Sequence, residues 1–290
     1  MNDYHTEPTA RLENDHCSLY YLTTAGPRIV RLIPKVLGEN LLAETPDLTL
    51  DSPHGPLRLW GGHRLWHAPE SRARTYVPDD SGLRAEPTAG GAHLTYDEPH
   101  TGIRKEMTIA LHPTAARVRL THRLTNVGLW PVELAPWAIT QMRLGGTVVV
   151  PTDGAPTGDP PGDDLLPDRL LALWPYARWD DPRLRLTTEA IVIAASPAPP
   201  FKIGTMSRLG RIEYHYGGLT FIKRWTPQPA RPHVDFGCNA EVYTGDRHVE
   251  LETLGPLARL GPGEGGEHVE EGEGVGGAGV GRLSGSVWSG

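Results

Sequence analysis

The chain has 290 residues and a net charge of −7, and its acids and bases are interspersed, which excludes the basic stripe of a nucleic-acid-binding surface. Its 28 prolines and 34 glycines favour many turns and short strands over long helices. Free thiols are favoured over a single bridge for the two cysteines, and no apolar run is long enough to predict a membrane span. The first residues lack the pattern of a signal peptide, so we expect a cytoplasmic location.

The first part of the chain predicts an edge segment followed by strands. Residues 1–16 are polar, which indicates a frayed segment or an edge strand. Residues 18–34 are rich in β-branched and aromatic residues and contain a turn at Gly26-Pro27, which predicts two strands. Residues 38–48 are expected to hold a short helical turn, limited by the glycine and proline that flank it.

Alternating apolar residues predict strands through the rest of the chain. In the segment 117–125, Val118, Leu120 and Leu124 share one face, and the arginines and Thr121 point away from it. Further strands are predicted at 92–96, 103–111, 132–139 and 147–150, as a pair within 183–195, and in F-K-I-G, R-I-E-Y-H-Y and L-T-F-I-K-R-W. The recurrence of such signals, with little helical periodicity, predicts an all-β fold, a large sandwich or barrel with few short helices.

Composition indicates one large domain. We assign residues 1–16 to a polar N-terminal segment and residues 17–270 to a single β-sandwich domain. The Pro/Gly/Asp-rich stretch 151–168 predicts a long loop, which is either a functional lid or disordered. Residues 271–290 are Gly-rich and offer little packing material, so we expect a disordered tail where a closing strand would otherwise lie.

A first candidate site is the segment W-G-G-H-R-L-W-H-A-P-E at residues 60–70. Gly61-Gly62 allow a turn or a close approach of a ligand, and His63 and Arg64 follow between two tryptophans. Aromatic faces that frame polar groups are typical of a sugar subsite, in which rings stack on the sugar and polar groups bind its hydroxyls. A tryptophan-rich core loop with a paired arginine explains the composition equally well.

A second candidate is the stretch 241–256, which the turn at Gly245-Asp246 predicts to be a β-hairpin. Alternation places His248, Glu250 and Glu252 on one side of its second strand. Glu252, together with Glu241, Tyr243 and the preceding Asn239, offers acceptors and donors to the hydroxyls of a sugar.

Three more residues are candidates for substrate binding. Trp137 lies on a predicted strand and could line a groove, although such a tryptophan is more often part of the core. Lys202 and Lys223 each lie in an apolar strand, where a lysine usually extends to solvent. The functional alternative is a pair of cations that bind an anionic sugar or hold an acid in place.

The motif content predicts no metal and no cofactor. No C-x-x-C pair and no H-x-x-x-H spacing on a predicted helix indicates a metal site, although His54, His63 and His67 could meet in space. No G-x-G-x-x-G before a predicted helix, no G-K-[ST] loop and no nucleophile elbow is present. From the two candidate segments we expect the partner to be a small-molecule sugar or oligosaccharide, and we expect no nucleic acid and no membrane.

Taken together, these stretches resemble the galactose mutarotase-like superfamily, and within it an uncharacterised bacterial branch. The resemblance covers about residues 15–270 and depends most on C-N-A-E-V-Y-T-G-D-x-x-V-E-L-E-T-L-G-P, supported by G-G-H-R-L-W-H-A-P-E and L-T-N-V-G-x-x-P-V-E-L-A-P-W-A. It implies a large antiparallel β-supersandwich with a sugar groove across one concave sheet. It also implies that Glu252 occupies the position of the glutamate base of true mutarotases. Their histidine acid has no counterpart here, because that segment carries Trp137.

These observations leave several functions open. The leading hypothesis is a carbohydrate-binding protein whose groove joins Arg64, Glu252 and Trp137. The enzyme alternative is an aldose 1-epimerase or related sugar isomerase, with Glu252 as base and His63 or a lysine as acid. A third is a lyase-like protein that acts on uronic-acid polymers, with Arg64 and lysines against the substrate carboxylates. A structural sandwich module without a ligand is the fourth, and it predicts that Arg64 and Glu252 are far apart or sealed inside.

Overall fold

The computed structural model describes residues 4–154 and 167–276, and these residues form 21 β-strands and no helix. The strands of the first half are β1 (Thr9–Glu13), β2 (Cys17–Leu22), β3 (Arg28–Pro34), β4 (Glu44–Ser52), β5 (Gly55–Ala68), β6 (Arg84–Thr88), β7 (Gly91–Asp97), β8 (Ile103–Leu111), β9 (Arg117–Asn126), β10 (Val132–Met142) and β11 (Thr147–Pro151). Those of the second half are β12 (Ala172–Leu173), β13 (Leu184–Leu186), β14 (Ala190–Ala194), β15 (Phe201–Thr205), β16 (Arg211–Tyr216), β17 (Leu219–Trp225), β18 (Ala240–Thr244), β19 (Val249–Leu254), β20 (Ala258–Leu260) and β21 (Gly265–Gly276).

The strands form two antiparallel sheets. Sheet 1 has the order β1-β2-β3-β5-β10-β19-β18-β15-β12, with β4 beside β5 and β20 beside β10. Sheet 2 has the order β13-β14-β11-β16-β17-β21-β9-β8-β7-β6. The main hydrophobic core combines residues of both sheets, among them Val242 and Leu251 of sheet 1 and Ile109 and Phe221 of sheet 2. The prediction of a large antiparallel β-sandwich is confirmed, whereas the few short helices are absent from the described residues.

Strands with clear alternation were predicted almost to the residue. The segments 103–111 and 117–125 form β8 and β9, which pair with each other along their whole length. In β9, Val118, Leu120 and Leu124 are buried and the arginines are not, as the pattern predicts. The predicted hairpin is formed by β18 and β19, in which Glu241 pairs with Glu252.

Three local predictions were wrong. Residues 38–48 form no helical turn, because β4 begins at Glu44 and pairs with β5. Residues 60–68 are no loop but the second half of β5. The tail does not begin at residue 271, since residues 271–276 complete β21 beside β17 and β9. Gly272 is required there, because a Cβ would approach the ring of Phe221 to 2.9 Å. Residues 277–290, and most of the predicted loop 151–168, lie outside the described residues.

The segment assigned to a frayed end or an edge strand contains β1, which is the edge strand of sheet 1. Cys17 and Cys238 are both buried and free, so no disulfide joins them. The described residues include no helix that could cross a membrane.

A backbone distortion at Trp60, Gly61 and Gly62 lets β5 serve two different partners. All three residues have a positive φ, of 59°, 91° and 71°. Before this point β5 pairs with β4, and after it β5 lies between β3 and β10. A Cβ at Gly62 would lie 2.0 Å from the carbonyl oxygen of Ile29, so only glycine fits. The distortion sets the register of His63 and Arg64.

The substitution Gly62→Ala should therefore lower the free energy of unfolding by about 3 kcal/mol, measured by urea denaturation, because backbone strain and a clash with a backbone oxygen act together. Gly38→Ala is the matched control. Gly38 also has a positive φ of 72°, but a Cβ there meets nothing within 4 Å. It should cost about 1 kcal/mol from the strained φ alone. Equal costs for the two variants would contradict this account of β5.

Candidate functional site

The candidate residues separate onto the two faces of sheet 1. In the pairing of β5, β10, β19 and β18, Arg64 lies beside Ile139, Ile139 beside Glu252, and Glu252 beside Glu241. Directly paired residues of antiparallel strands point to the same face. Arg64, Glu252 and Glu241 therefore share one face, the face away from sheet 2, which we call the outer face of sheet 1.

His63 lies on the opposite face from Glu252. It pairs with Thr140, and its ring contacts His122 of β9 and Glu270 of β21 in sheet 2. The expectation that His63 serves as the acid partner of Glu252 is therefore wrong, because neighbouring residues of a strand point to opposite sides. Burial lowers the pKa of His63 well below its ordinary value.

Lys223 also lies between the sheets. Its ammonium donates to the carbonyl oxygens of Ala138 and Leu251 and to the hydroxyl of Thr140, and it pairs with Glu270. The expectation that Lys223 binds substrate beside Lys202 is therefore wrong as well. Among the described residues, His63, His122 and Glu270 form a group that could hold a metal ion.

Lys202 is the centre of a buried charge cluster on the outer face. Its Nζ lies 2.8 Å from Oε2 of Glu241 and 2.8 Å from Oε2 of Glu252. It also lies over the rings of Trp137 and Trp174, at 4.7 and 4.6 Å from their centroids. Burial opposes the charge of Lys202, but the two carboxylates raise its pKa above the ordinary value. Lys202 thus remains a cation in an apolar, aromatic setting.

Glu252 keeps one oxygen free. Its Oε2 accepts hydrogen bonds from the indole Nε1 of Trp137 at 2.6 Å and from Lys202 at 2.8 Å. Its Oε1 is buried and has no hydrogen-bond partner among the residues described. Burial raises the pKa of Glu252, against the opposing effect of Lys202, and burial likewise raises the pKa of Glu241. A raised pKa increases the affinity of a carboxyl group for a proton, which is what a general base or acid requires.

Arg64 also has free hydrogen-bonding capacity. Its Nη2 donates to Oε1 of Glu250 at 3.0 Å, and its guanidinium lies 4.3 Å above the ring of Trp66. Its Nε and Nη1 are buried without a hydrogen-bond partner within the described part of the chain. Although burial alone would raise the pKa of Glu250, Arg64 holds it well below the ordinary value. Unsatisfied buried donors are costly, so the free donors of Arg64 are available to bind a ligand or an ordered water molecule.

The remaining predicted residues differ in how free their side chains are to bind a ligand. Tyr243 pairs with Lys202 and Glu250 on the same face, is half-buried, and has a pKa raised to about 12 by burial. Asn239 is fully buried, and its side chain binds the backbone N–H and carbonyl of Ser207. It therefore fixes the chain before β18 and has little left to offer a ligand.

The residues at this face were found only in part by sequence reasoning. Glu250 and Gln141 were not proposed as binding residues, yet Gln141 donates a hydrogen bond to Glu250 beside Arg64. Glu250 could have been proposed from the sequence, because it lies two residues before Glu252 and therefore on the same face of the predicted strand. Trp174 gave no signal, because it lies in an irregular segment remote in sequence from the two motifs.

The described residues leave no open trough at Arg64 and Glu252, contrary to the expected groove, and this sealed arrangement is the one that the structural-module alternative predicts. Arg64 and Glu252 share a face, but their exposed fractions are only 2% and 0%. Trp174 covers Lys202, and the half-exposed Tyr176 lies close enough to Lys202 and Glu252 for their charges to affect its pKa. On the other side, the ring of Tyr76 packs at a tilt against Trp66, and its hydroxyl donates to Glu70. A ligand can reach the free atoms of Arg64 and Glu252 only if these aromatic covers move.

Comparison with known proteins gives likeness in structure alone. No protein-family model and no curated protein matches the sequence. Among solved structures, a galactose mutarotase-like protein from Lactobacillus casei ATCC 334 matches with a TM-score of 0.55 and 8% identity, over 92% of this chain and 100% of that one. A galactose mutarotase related enzyme from Lactobacillus acidophilus matches with a TM-score of 0.50 and 9% identity, over 92% and 97%.

A third match shows that the same fold occurs within a larger protein. A TPR-domain containing protein from Parabacteroides distasonis ATCC 8503 aligns with a TM-score of 0.63 and 13% identity, over 98% of this chain and 50% of that one. At such low identities the alignments establish architecture and not chemistry. This chain therefore has the galactose mutarotase-like fold.

Proposed function

We propose that the protein binds a sugar on the outer face of sheet 1. The observation that carries the proposal is a group of buried polar atoms without hydrogen-bond partners there in the described residues, among them Nε and Nη1 of Arg64, Oε1 of Glu252 and Oε1 of Gln141. These atoms include both hydrogen-bond donors and acceptors, and each hydroxyl group of a sugar can donate and accept. The rings of Trp66, Trp137 and Trp174 surround them and give the site an aromatic lining that suits the apolar face of a sugar.

The charge balance favours a neutral sugar over a uronic-acid polymer. The outer face carries two cations, Arg64 and Lys202, against the three carboxyl groups of Glu241, Glu250 and Glu252. Both cations are already paired, and Lys223 contributes nothing because it lies between the sheets. A substrate carboxylate would therefore meet more negative than positive charge.

Calorimetric titration with a panel of neutral monosaccharides and with galacturonate tests the proposal. We expect at least one neutral sugar to bind, and Arg64→Met and Glu252→Gln each to weaken that binding about tenfold or more, because each leaves sugar hydroxyls unpaired. Glu271→Gln is the matched control, since Glu271 pairs with Arg119 on the surface of sheet 2 and should leave binding unchanged. Absence of heat with every sugar would favour the structural module instead.

A second candidate function is aldose 1-epimerase activity with Glu252 as the base. The free Oε1 and the raised pKa of Glu252 favour it, because a base needs an available oxygen and affinity for a proton. Polarimetry on freshly dissolved α-glucose and α-galactose should then show catalysed mutarotation, which Glu252→Gln reduces about a hundredfold. If the wild type is active and Glu252→Gln is equally active, the base is another residue.

A further inference from the structure

Three side chains from separate strands meet between the two sheets. His63 comes from β5 in sheet 1, and His122 and Glu270 come from β9 and β21 in sheet 2. Nε2 of His63 lies 3.2 Å from Nε2 of His122 and 3.4 Å from Oε1 of Glu270, and Nε2 of His122 lies 3.3 Å from the same oxygen. All three side chains are at least 97% buried.

The three atoms form a nearly equilateral triangle of the size that a metal ion requires. In a tetrahedral zinc site the ligand atoms lie about 2.0–2.2 Å from the metal, so neighbouring ligands are roughly 3.3–3.5 Å apart. We propose that His63, His122 and Glu270 bind one divalent transition-metal ion, with Zn²⁺ the best match for two imidazoles and one carboxylate, and that the ion joins sheet 1 to sheet 2.

Surrounding groups orient two of the three ligands. Nδ1 of His63 is 2.8 Å from the hydroxyl of Thr140, which leaves its Nε2 directed at the triangle. Oε2 of Glu270 accepts from the hydroxyl of Thr253 at 2.6 Å and pairs with Lys223 at 3.1 Å, which leaves Oε1 for the ion. Partners on the outer atoms of metal ligands are a usual feature of metal sites.

The interior has space for a water molecule beside two of the three ligands. A cavity of about 30 Å³ is lined by His63, Thr140 and Glu270 among others, and it can hold a water molecule. Glu270 and His268 also line an open pocket of about 520 Å³ next to the end of β17. Because Lys223 already balances Glu270, a bound metal adds positive charge, which ionisation of the water would reduce.

Metal analysis of protein without a polyhistidine tag tests the proposal. We expect close to one equivalent of zinc per chain after growth with added zinc. Removal of the metal with a chelator should lower the melting temperature by about 5 °C, for an ion held at a hundred times its dissociation constant. Addition of Co²⁺ to the metal-free protein should produce the visible absorption bands of a four-coordinate site.

Two variants locate the site. His122→Gln should lose the metal and the cobalt bands. His268→Gln should keep both, because His268 lies in the same interior but its Nε2 binds the hydroxyl of Thr253 and is 3.8 Å from Glu270 Oε2. Cobalt binding that survives His122→Gln would overturn the assignment. If His122→Gln does not fold, the wild type decides: less than about a tenth of an equivalent of metal and no change in melting temperature with zinc overturns it.

Discussion

Replacement of Lys202 by methionine should lower the free energy of unfolding by about 4 kcal/mol at pH 7, because it leaves Glu241 and Glu252 buried without their cation. The loss should depend on pH. Without Lys202 the folded-state pKa values of both carboxyl groups rise further above those of the unfolded chain. The folded protein then retains protons that the unfolded chain releases, so stability falls as pH rises from about 5 to 8.

Urea denaturation at pH 5 and pH 8 measures this effect. Lys35→Met is the control, because Lys35 pairs with Glu13 at the surface and should contribute at most about 0.5 kcal/mol at either pH. A deficit for Lys202→Met that is below about 1 kcal/mol, or that does not grow with pH, would show that the cluster on the outer face is not held by this cation.

Acid should destabilise the wild type through Glu98, by about 3 kcal/mol between pH 4.5 and pH 2. Burial alone would raise the pKa of Glu98, but Lys105 and His67 lower it from 4.5 to about 2. Since the folded-state pKa lies below that of the unfolded chain, ionised Glu98 contributes its full stability above about pH 4.5. That contribution is lost as pH falls toward 2.

The variant Glu98→Gln should be less stable than the wild type at pH 6 and should show a flatter dependence on pH below 4.5. Glu133→Gln is the control, because Glu133 is exposed on β10 and makes no ion pair within the described residues. The free energy of unfolding against pH, obtained from urea curves, should be the same for this control and the wild type. An unchanged acid slope in Glu98→Gln would assign the effect to other carboxyl groups.

Strands with alternating apolar and polar residues could be predicted from the sequence. Strands that are buried on both faces could not. In β9 the inner residues are apolar and the outer ones are polar, so the pattern is visible without a structure. In β5 every residue from Leu59 to Ala68 is buried, so no alternation marks a strand there. The adjacent glycines then indicated a turn, although they only distort a continuous strand.

That one error explains why His63 was assigned to the wrong site. In a loop, His63 and Arg64 could both reach the same ligand, whereas in a strand they must point to opposite sides. The partner of each residue is distant in sequence, so a local sequence pattern cannot identify it. Arg64 meets Glu250, 186 residues away, and His63 meets His122, 59 residues away.

The burial of Lys105 could also have been predicted from the sequence. It lies between Ile103 and Met107 on the apolar face of β8, in phase with residues that enter the core. A lysine in that position must be buried, and a buried ammonium requires a carboxylate. Its partner Glu98 lies just before β8, so the pair could have been predicted.

The position of β21 has a consequence for how the protein is made. This strand lies in the middle of sheet 2, between β17 on one side and β9 on the other. During synthesis on the ribosome, the two parts of sheet 2 emerge well before the strand that joins them; one part is β6–β9 and the other consists of β11, β13, β14, β16 and β17. Each part then exposes an unpaired edge until Gly276 has left the exit tunnel, which makes late-stage aggregation and chaperone dependence the expected weaknesses of this topology.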